Sequence, residues 1–316
     1  MEFFKQREKD IPFLQHRKWA YLFSGLLILI SIGSFFTQGL KLGIDFTGGV
    51  LLEVGYRQPA DLNKIRGVLA AADFREAVVQ HFGAAEDVLI RLPPLAESDK
   101  EAASKVSDRV FKALNEAADG SAELRRVEFV GPQVGQELTE DGGLAVLYAL
   151  IGILIYVAMR FEYRLALGAV LATIHDVVVT MGVFSLFQIE FDLTVLAAIL
   201  AVIGYSLNDT VVVFDRIREH FRKMRKGAPE QVLDSAITQT LSRTIMTSAT
   251  TLLTVIALLI LGGEVIQGFA LALTIGILFG TYSSVYIASA LSLELGLNKS
   301  DLMPVQKEGA GADGRP

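Results

Sequence analysis

The run LTVLAAILAVIGYSLNDTVVVF, residues 193–214, is apolar over enough length to cross a bilayer, yet it contains Asp209. A second apolar run, residues 165–187, contains His175 and Asp176 near its middle. A charged side chain at the centre of a spanning helix costs about 2.5 to 3.5 kcal/mol on insertion scales, so such residues usually have a function. We therefore expect a membrane protein in which the two aspartates handle protons.

Composition and length support the same fold class. The chain has 316 residues, of which 52% are hydrophobic and 20% charged, and its mean hydropathy is +0.44. These values exclude an ordinary soluble domain. Six apolar runs have about the length of a spanning helix, and they cover residues 19–36, 144–159, 165–187, 193–214, 244–261 and 269–293. The sequence predicts a polytopic α-helical membrane protein with six transmembrane helices.

Basic residues in the short flanks predict the orientation of the chain. Lys and Arg are numerous in residues 1–18 and 216–242, whereas the connections 188–192 and 262–267 contain neither. Since basic flanks stay on the cytoplasmic side, both termini are expected inside the cell. The glycine-containing tail, residues 298–316, is predicted to be disordered.

The long connection between the first two runs, residues 37–142, has the pattern of a small α+β domain, which the orientation places outside the cytoplasm. Its predicted elements alternate as βαββαβ. The strands cover residues 50–56, 77–82, 88–92 and 124–130, and the helices cover residues 61–72 and 98–118. This order predicts a ferredoxin-like domain in which both helices cover one face of an antiparallel sheet. Transmembrane helices 2–6 then occupy residues 143–297.

An amphipathic segment lies between the fourth and fifth runs. Residues 230–241 carry an apolar stripe directly after Pro229. We expect this segment to lie along the inner membrane interface before the chain re-enters the bilayer. It either transmits movement between helices or is a linker anchored by basic residues.

The surroundings of Asp209 predict a proton relay. Tyr205 and Ser206 lie about one turn before it, and Asn208 precedes it. Hydroxyls follow one side of the fifth run, at Thr247, Thr250, Thr251 and Thr254. If the two faces meet, Arg243 is the natural counter-ion of Asp209, and separation of the pair would let the carboxyl take up a proton. The alternatives are a static ion pair, or an Arg243 side chain that extends to the membrane surface.

Asp176 is expected to face protein or water rather than lipid, because it lies near the middle of its run. Thr173 and Thr180 are predicted on the same helix face. His175 is a candidate member of the relay, with a hydrogen-bonded packing residue as the alternative.

Other kinds of site find little support. The histidines of the chain are His16, His81, His175 and His220. They lack the spacing of metal ligands, and the chain has no cysteine and no phosphate-binding glycine loop. We therefore expect no metal, no cofactor and no nucleic-acid partner, and an ion gradient as the energy source. Gly276 and Gly280 form a small-x-x-x-small pair, which is typical of close helix contact.

Two membrane aspartates would also suit an intramembrane aspartyl protease, in which paired carboxyls share a proton. That reading requires both groups at the same depth. Here Asp176 is central and Asp209 is displaced towards one end of its run, within Gly-Tyr-Ser-Leu-Asn-Asp rather than Gly-x-Gly-Asp. The residues therefore favour a relay over a protease.

Several motifs together resemble the SecF family of bacterial protein-export subunits, within the resistance-nodulation-division superfamily. They are GIDFTGG (43–49), VGPQVG (130–135), VIGYSLNDT (202–210), FDRIRE (214–219) and TLSRT (240–244). The resemblance implies half of a resistance-nodulation-division bundle that pairs with SecD and associates with the SecYEG channel and YajC in the bacterial inner membrane. It implies preprotein substrates, use of the proton-motive force, no enzymatic activity, and proton-responsive residues at Asp209 and Arg243.

The signature around Asp45 adds hinge candidates where the outer domain meets the membrane. These are Gly48 and Gly49 on one side, and Gly131 and Pro132 on the other. Ordinary turn chemistry is the alternative. For the whole chain, the alternatives to an export motor are a drug or lipid exporter of the same superfamily and a passive scaffold.

Overall fold

A computed structural model describes residues 10–94, 100–223 and 227–298. The elements are α1 (Arg17–Thr37), β1 (Lys41–Leu42), α2 (Ile44–Thr47), β2 (Gly49–Gly55), α3 (Leu62–Ala71), β3 (Val78–Phe82), β4 (Ala84–Leu92), α4 (Lys100–Ala117), β5 (Glu123–Val130), α5 (Pro132–Arg160), α6 (Tyr163–Leu186), β6 (Glu190–Phe191), α7 (Leu193–Lys223), α8 (Pro229–Leu261), α9 (Glu264–Ser283) and α10 (Ser289–Glu294). A 3-10 turn (Leu14–His16) precedes α1, and a π-helical turn (Ser284–Ala288) joins α9 to α10. Most of the tail predicted to be disordered, 298–316, lies outside the described residues, as do residues 1–9.

Six helices in the described residues are long and apolar enough to cross a membrane, which confirms the polytopic class. They are α1 with its preceding turn, α5, α6, α7, α8, and the continuous stretch from α9 through α10. The most enclosed of the six is α6. Since an apolar side chain in lipid gains little from burial, a helix at the centre of a bundle must be held by close packing and hydrogen bonds.

Small residues provide that close packing around α6. A side chain at Gly182 would collide with Ser31 of α1, and one at Gly168 would collide with Ser292 of α10. Ser34 and Ser185 are hydrogen-bonded across the α1–α6 contact at 2.7 Å. These contacts place α6 against both the first and the last spanning helix.

The predicted close contact of the last spanning helix is present. Gly276 of α9 lies against Val202 of α7, and any side chain at 276 would collide with it. A Cβ atom at Gly280 would lie 3.3 Å from Cβ of Ser206. The helices α7 and α9 therefore approach closely at the depth where α7 carries its polar residues.

The outer domain is ferredoxin-like, as predicted. Its antiparallel sheet has the strand order β3-β4-β2-β5, and α3 and α4 pack on one face. Val50, Leu52 and Val54 point into that core and are fully buried. The strand β4 begins earlier than expected, because Gly83, with φ of +74°, makes a tight turn from β3.

Several contacts tie this domain to the bundle, and three of them follow from elements absent from the prediction. The short strands β1 and β6 pair in parallel. Arg91 forms an ion pair with Glu190 of β6. The Oδ2 atom of Asp45, in α2, accepts a hydrogen bond from the backbone N–H of Leu193 at 3.0 Å, at the start of α7. The signature aspartate is thus a link between the domain and the fourth spanning helix.

The glycine pair of the signature lies at a crowded junction. Gly48 and Gly49 have φ angles of +72° and +131°. A Cβ atom at Gly48 would lie 2.9 Å from Cα of Pro132, and one at Gly49 would collide with the carbonyl oxygen of Leu92. Gly131 has open space around it. Steric and backbone demands therefore explain both glycines of the pair, while hinge motion remains a prediction.

The amphipathic segment 216–242 differs from the prediction. Residues 230–241 are not a separate segment before the fifth spanning helix, because they form the first turns of α8, which continues unbroken to Leu261. No glycine or proline interrupts this helix after Pro229. Its apolar stripe, including Leu233 and Ile237, packs against Phe214 and Ile217 of α7. The bundle therefore extends beyond the expected membrane boundary.

The residues before α1 belong to this same extended core. Phe13 and Leu14 are buried in it. The N–H of Leu14 donates to Oδ1 of Asp234 at 3.0 Å, and Arg17 bridges Glu230 and Glu294. The N-terminal segment thus closes the end of the bundle opposite the outer domain.

Replacement of Gly49 by alanine should destabilise the outer domain by at least about 2 kcal/mol, because the new Cβ meets a backbone carbonyl and φ is positive. Gly67→Ala is the matched control, since Gly67 is helical with open space around it, and alanine there should be neutral or stabilising. Hydrogen exchange of β2 in the detergent-solubilised chain measures the difference. Equal exchange in the two variants would contradict this account of the junction.

Candidate functional site

Asp176 lies at the centre of the bundle and is fully buried. Its Oδ2 atom accepts hydrogen bonds from Ser206 Oγ of α7 at 2.6 Å and from Ser283 Oγ of α9 at 2.7 Å. Its Oδ1 atom is 2.9 Å from Nδ1 of His175. Three helices therefore meet at one carboxyl group, and no Lys or Arg of the described chain lies within ion-pair distance of it.

His175 is buried beside Asp176, and the pair shares one hydrogen bond. Its other ring nitrogen, Nε2, is buried and has no hydrogen-bond partner among the described residues. The ring centroid lies 6.3 Å from that of Tyr282. The imidazole therefore connects the carboxyl of Asp176 to the aromatic residues of the last spanning helix.

Asp209 is also buried, with 3% of its surface exposed. Its Oδ2 atom is 3.4 Å from Ser248 Oγ of α8, and Ser248 is hydrogen-bonded to Thr281 of α9 at 2.7 Å. Asp209 lies one turn beyond Ser206 on α7, so the two acids are neighbours with separate sets of partners. Together they form a polar cluster in which α6, α7, α8 and α9 all take part.

The expected ion pair between Asp209 and Arg243 is not formed in this conformation. Ser248 and Thr247 occupy the position next to the carboxyl, and the Arg243 side chain is exposed. Within the described ranges, no carboxylate lies within 4.0 Å of its guanidinium. Arg243 is one turn from Thr247 on α8, so the guanidinium and the carboxyl remain on adjacent faces without contact.

The predicted hydroxyl stripe on α8 does not serve Asp209 as a unit. The hydroxyls of the four threonines donate to backbone carbonyls of their own helix, at Arg243, Met246, Thr247 and Thr250. Thr250 and Thr254 are exposed, because they lie seven and eleven residues after Arg243, which places them on the same exposed face of α8 as that residue. Thr173 and Thr180 of α6 likewise donate to backbone oxygens.

Two further predictions about α7 need correction. Ser206 belongs to the Asp176 contact rather than to Asp209, because its hydroxyl points towards α6 and α9. Asn208 is exposed on a different face of the helix from Asp209, since one residue on a helix turns the side chain by about 100°. The hydroxyl of Tyr205 is buried without a described partner.

Three hydroxyls of the cluster were not predicted from the sequence, those of Ser248, Thr281 and Ser283. Serine and threonine are ordinary residues in spanning helices, so their types carried no signal. Gly280, which allows α9 to approach Ser206, was the available clue to which helices meet. Which hydroxyls reach the two acids depends on contacts between segments that are far apart in the sequence.

The described residues of the cluster differ from the other kinds of site that were considered. No group of three or more potential metal ligands occurs among the described residues. Asp176 and Asp209 have different hydrogen-bond donors, whereas an aspartyl protease requires carboxyls that share one proton.

The sequence of the chain is similar to those of several known proteins. A protein translocase subunit SecF of Vibrio alginolyticus is 56% identical over 311 residues, which cover 98% of each chain. The chain belongs to the SecF family. A SecF of Pseudomonas aeruginosa is 51% identical over 97% of this chain and 98% of that protein. Residues 110–298 match the family described as "Protein export membrane protein SecD/SecF, C-terminal", and residues 33–60 match the "SecD/SecF GG Motif".

Solved structures agree with this membership. The crystal structure of SecDF from Thermus, described as a translocon-associated membrane protein, is 36% identical with a TM-score of 0.81. The match covers 91% of this chain and 39% of the Thermus chain. SecDF in a super-membrane-facing form matches with a TM-score of 0.67 at the same identity, over 92% of this chain and 39% of that chain. The SecF-family chain thus corresponds to part of a larger SecDF chain.

Replacement of Ser283 by alanine should lower the stability of the bundle by about 1.5 to 3 kcal/mol, because a buried carboxylate loses one of its donors. Ser284→Ala is the control, since the neighbouring hydroxyl donates only to a carbonyl of its own helix. Thermal unfolding in detergent compares the two variants. A similar loss from both would show that Asp176 does not depend on this hydroxyl.

Proposed function

We propose that this SecF-family chain is the SecF subunit of a SecD–SecF assembly that uses the proton-motive force to promote preprotein translocation on the outer side of the membrane. The observation that carries the proposal is the pair of buried acids, Asp176 and Asp209, which accept hydrogen bonds from hydroxyl groups and have no Lys or Arg of the described chain within ion-pair distance. Such carboxyls are costly to retain, and proton transfer gives them a function.

In the proposed cycle, Asp209 alternates between a protonated state and a state paired with Arg243. The helix α8 supports this exchange, because Arg243 lies about one turn from Thr247 and Ser248, which now face the carboxyl. A shift of α8 by a fraction of a turn, or extension of the arginine side chain, would replace a hydroxyl by a guanidinium. One charge moved through 100 mV corresponds to about 2.3 kcal/mol, which is enough to bias such a movement.

The surface of the bundle supports pairing with a SecD-type membrane half. On α7, the exposed residues Ala197, Ala201, Gly204 and Asn208 follow one face at helical spacing. On α8, the adjacent exposed face carries Arg243, Thr250 and Thr254. A lipid-facing helix rarely exposes an arginine and an asparagine, whereas small and polar residues are typical of helix–helix contacts in membranes. We name this surface, formed by these seven residues, the α7–α8 face.

The proposal also covers the partners, the energy source and the location of the chain. SecYEG and YajC are proposed as further partners, with preproteins as the cargo and membrane lipid around the bundle. The proton gradient is the energy source and no cofactor takes part. The proposed location is the bacterial inner membrane with both termini cytoplasmic, which puts the ferredoxin-like domain where exported chains emerge.

Asp209→Asn should abolish the stimulation of export by the proton gradient, because an amide can neither take up a proton nor pair ionically with Arg243. The measurement is gradient-dependent translocation of a preprotein into inverted vesicles that contain the variant. Asp215→Asn is the control, since this acid lies on the same helix in an exposed pair with Arg160. If the proton gradient still stimulates export in Asp209→Asn, the proposal is wrong.

Gly204→Leu should prevent co-purification with a SecD-type chain, because leucine fills the α7–α8 face. Gly152→Leu on α5 is the matched control: both glycines are exposed in spanning helices, and a Cβ atom at either meets nothing within 4 Å. Neither change should alter thermal stability of the isolated chain. Normal co-purification of both variants would place the partner elsewhere.

A further inference from the structure

Four aromatic and imidazole rings form a continuous column between the N-terminal segment and Asp176. Phe13 contacts Tyr286 with ring centroids 5.7 Å apart, and Tyr286 stacks on Tyr282 at 5.5 Å. Tyr282 in turn lies 6.3 Å from His175, which is hydrogen-bonded to Asp176. The column therefore joins the centre of the bundle to its end opposite the outer domain.

The π-helical turn of the last spanning helix shapes this column. Tyr282 and Tyr286 flank its first residue, Ser284, and their rings are inclined by only 30°. A π-helical turn widens the helix locally and leaves a backbone carbonyl without its usual partner, which is why such turns recur at functional sites. Directly before the turn, Ser283 donates to Asp176. The irregular backbone thus lies beside the buried acid.

Polar atoms accompany the rings along the first spanning helix. The hydroxyl of Tyr282 donates to the carbonyl oxygen of Ala20 at 2.9 Å and lies 3.1 Å from Ser24 Oγ. Ser24 is buried at 5% exposure. Tyr21 lies one turn from Ser24, and its hydroxyl is within electrostatic reach of Arg17 and Glu294 at the end of the bundle. Polar groups therefore continue to the ion pairs of that end.

Two atoms on this route are buried without hydrogen bonds to any described residue, Nε2 of His175 and the hydroxyl oxygen of Tyr21. A buried polar atom without a partner costs about 1 to 3 kcal/mol, so such atoms normally bind water. Nε2 of His175 is at the end of the route next to Asp176, and the Tyr21 hydroxyl is near the end of the bundle opposite the outer domain. Tyr282 and Ser24 lie between them. Packing alone explains the rings but not the polar atoms beside them.

We propose that His175, Tyr282, Ser24 and Tyr21 line a hydrated proton path between Asp176 and the end of the bundle closed by the N-terminal segment. The molecules bound along this path would be water. The inference rests on the proposed proton-coupled function and deepens it, because it separates a route through α1 and the last helix from the Asp209 contact on α8.

The proton balance along the route is simple. His175 receives a proton at Nδ1 from the carboxyl of Asp176 and releases one at Nε2 to water, and rotation of the ring restores the starting arrangement. Each hydroxyl accepts one proton and donates its own, so His175 and the hydroxyl groups keep their net charge after a transfer, while Asp176 is left as a carboxylate until it takes up the next proton. The titratable groups that face the route are Asp176, His175, Tyr282 and Tyr21, with Tyr286 beside it and Arg17 with Glu294 at its end.

The test uses the chain assembled with its SecD-type partner in proteoliposomes that contain a pH-sensitive dye. Tyr282→Phe removes the hydroxyl but keeps the ring in the column, and it should slow proton flux by at least about tenfold. Tyr286→Phe is the matched control, because it removes the neighbouring hydroxyl, which has no hydrogen bond to a described residue. Its flux should equal that of the parent.

The outcomes separate this path from the proposed function. If Tyr282→Phe conducts like the parent while Asp176→Asn does not, the path is wrong and proton coupling stands. If both phenylalanine variants lose flux equally, ring packing is responsible and the path is overturned. A parent assembly that carries no protons at all would overturn the proposed function, and this inference with it.

A second measurement does not depend on the variants. Hydroxyl radicals generated from bound water by X-rays modify the side chains next to that water. In the parent assembly, Tyr282 and Tyr21 should be modified, whereas Phe184, fully buried in an apolar cluster, should not. Protection of Tyr282 equal to that of Phe184 would show a dry column and refute the path.

Discussion

A carboxylate removed from water needs hydrogen-bond donors or a counter-charge, and the packing of α6 gives Asp176 donors alone. This demand explains why α7 and α9 must both approach α6 closely. Gly276 and Gly280 permit that approach by leaving room for Val202 and Ser206. Small residues and hydroxyls at the helix contacts are therefore a condition for burying the acid, and the rest of the bundle is arranged around them.

The two acids differ in how firmly they are held. Asp176 accepts short hydrogen bonds from two serines on different helices, so its position is fixed by the core of the bundle. Asp209 has a longer contact with Ser248 on α8, a helix with an extensively exposed surface. The first acid thus belongs to the closely packed core, while the second lies at the contact with a helix that is less enclosed.

Much of the architecture could be predicted from local sequence. Runs of apolar residues gave the six helices, and alternating patterns gave the ferredoxin-like domain. The positions of His175, Asp176 and Asp209 at membrane depth followed from the same runs. The partners of those residues could not be predicted, because Ser206, Ser248 and Ser283 reach the acids through contacts between segments far apart in sequence. Helical spacing places Ser206 near Asp209, but the relative rotation of α6 and α7 decides that it serves Asp176 instead.

Asp45 connects these helices to the outer domain through a single hydrogen bond to the first N–H of α7. The carboxylate sits at the positive end of the helix dipole, so it follows the helix terminus rather than any side chain. An axial displacement of α7 would therefore be passed to α2 and then to β2, which follows α2 directly in the chain. The outer domain would then move with α7 even if no side chain of the bundle changed its rotamer.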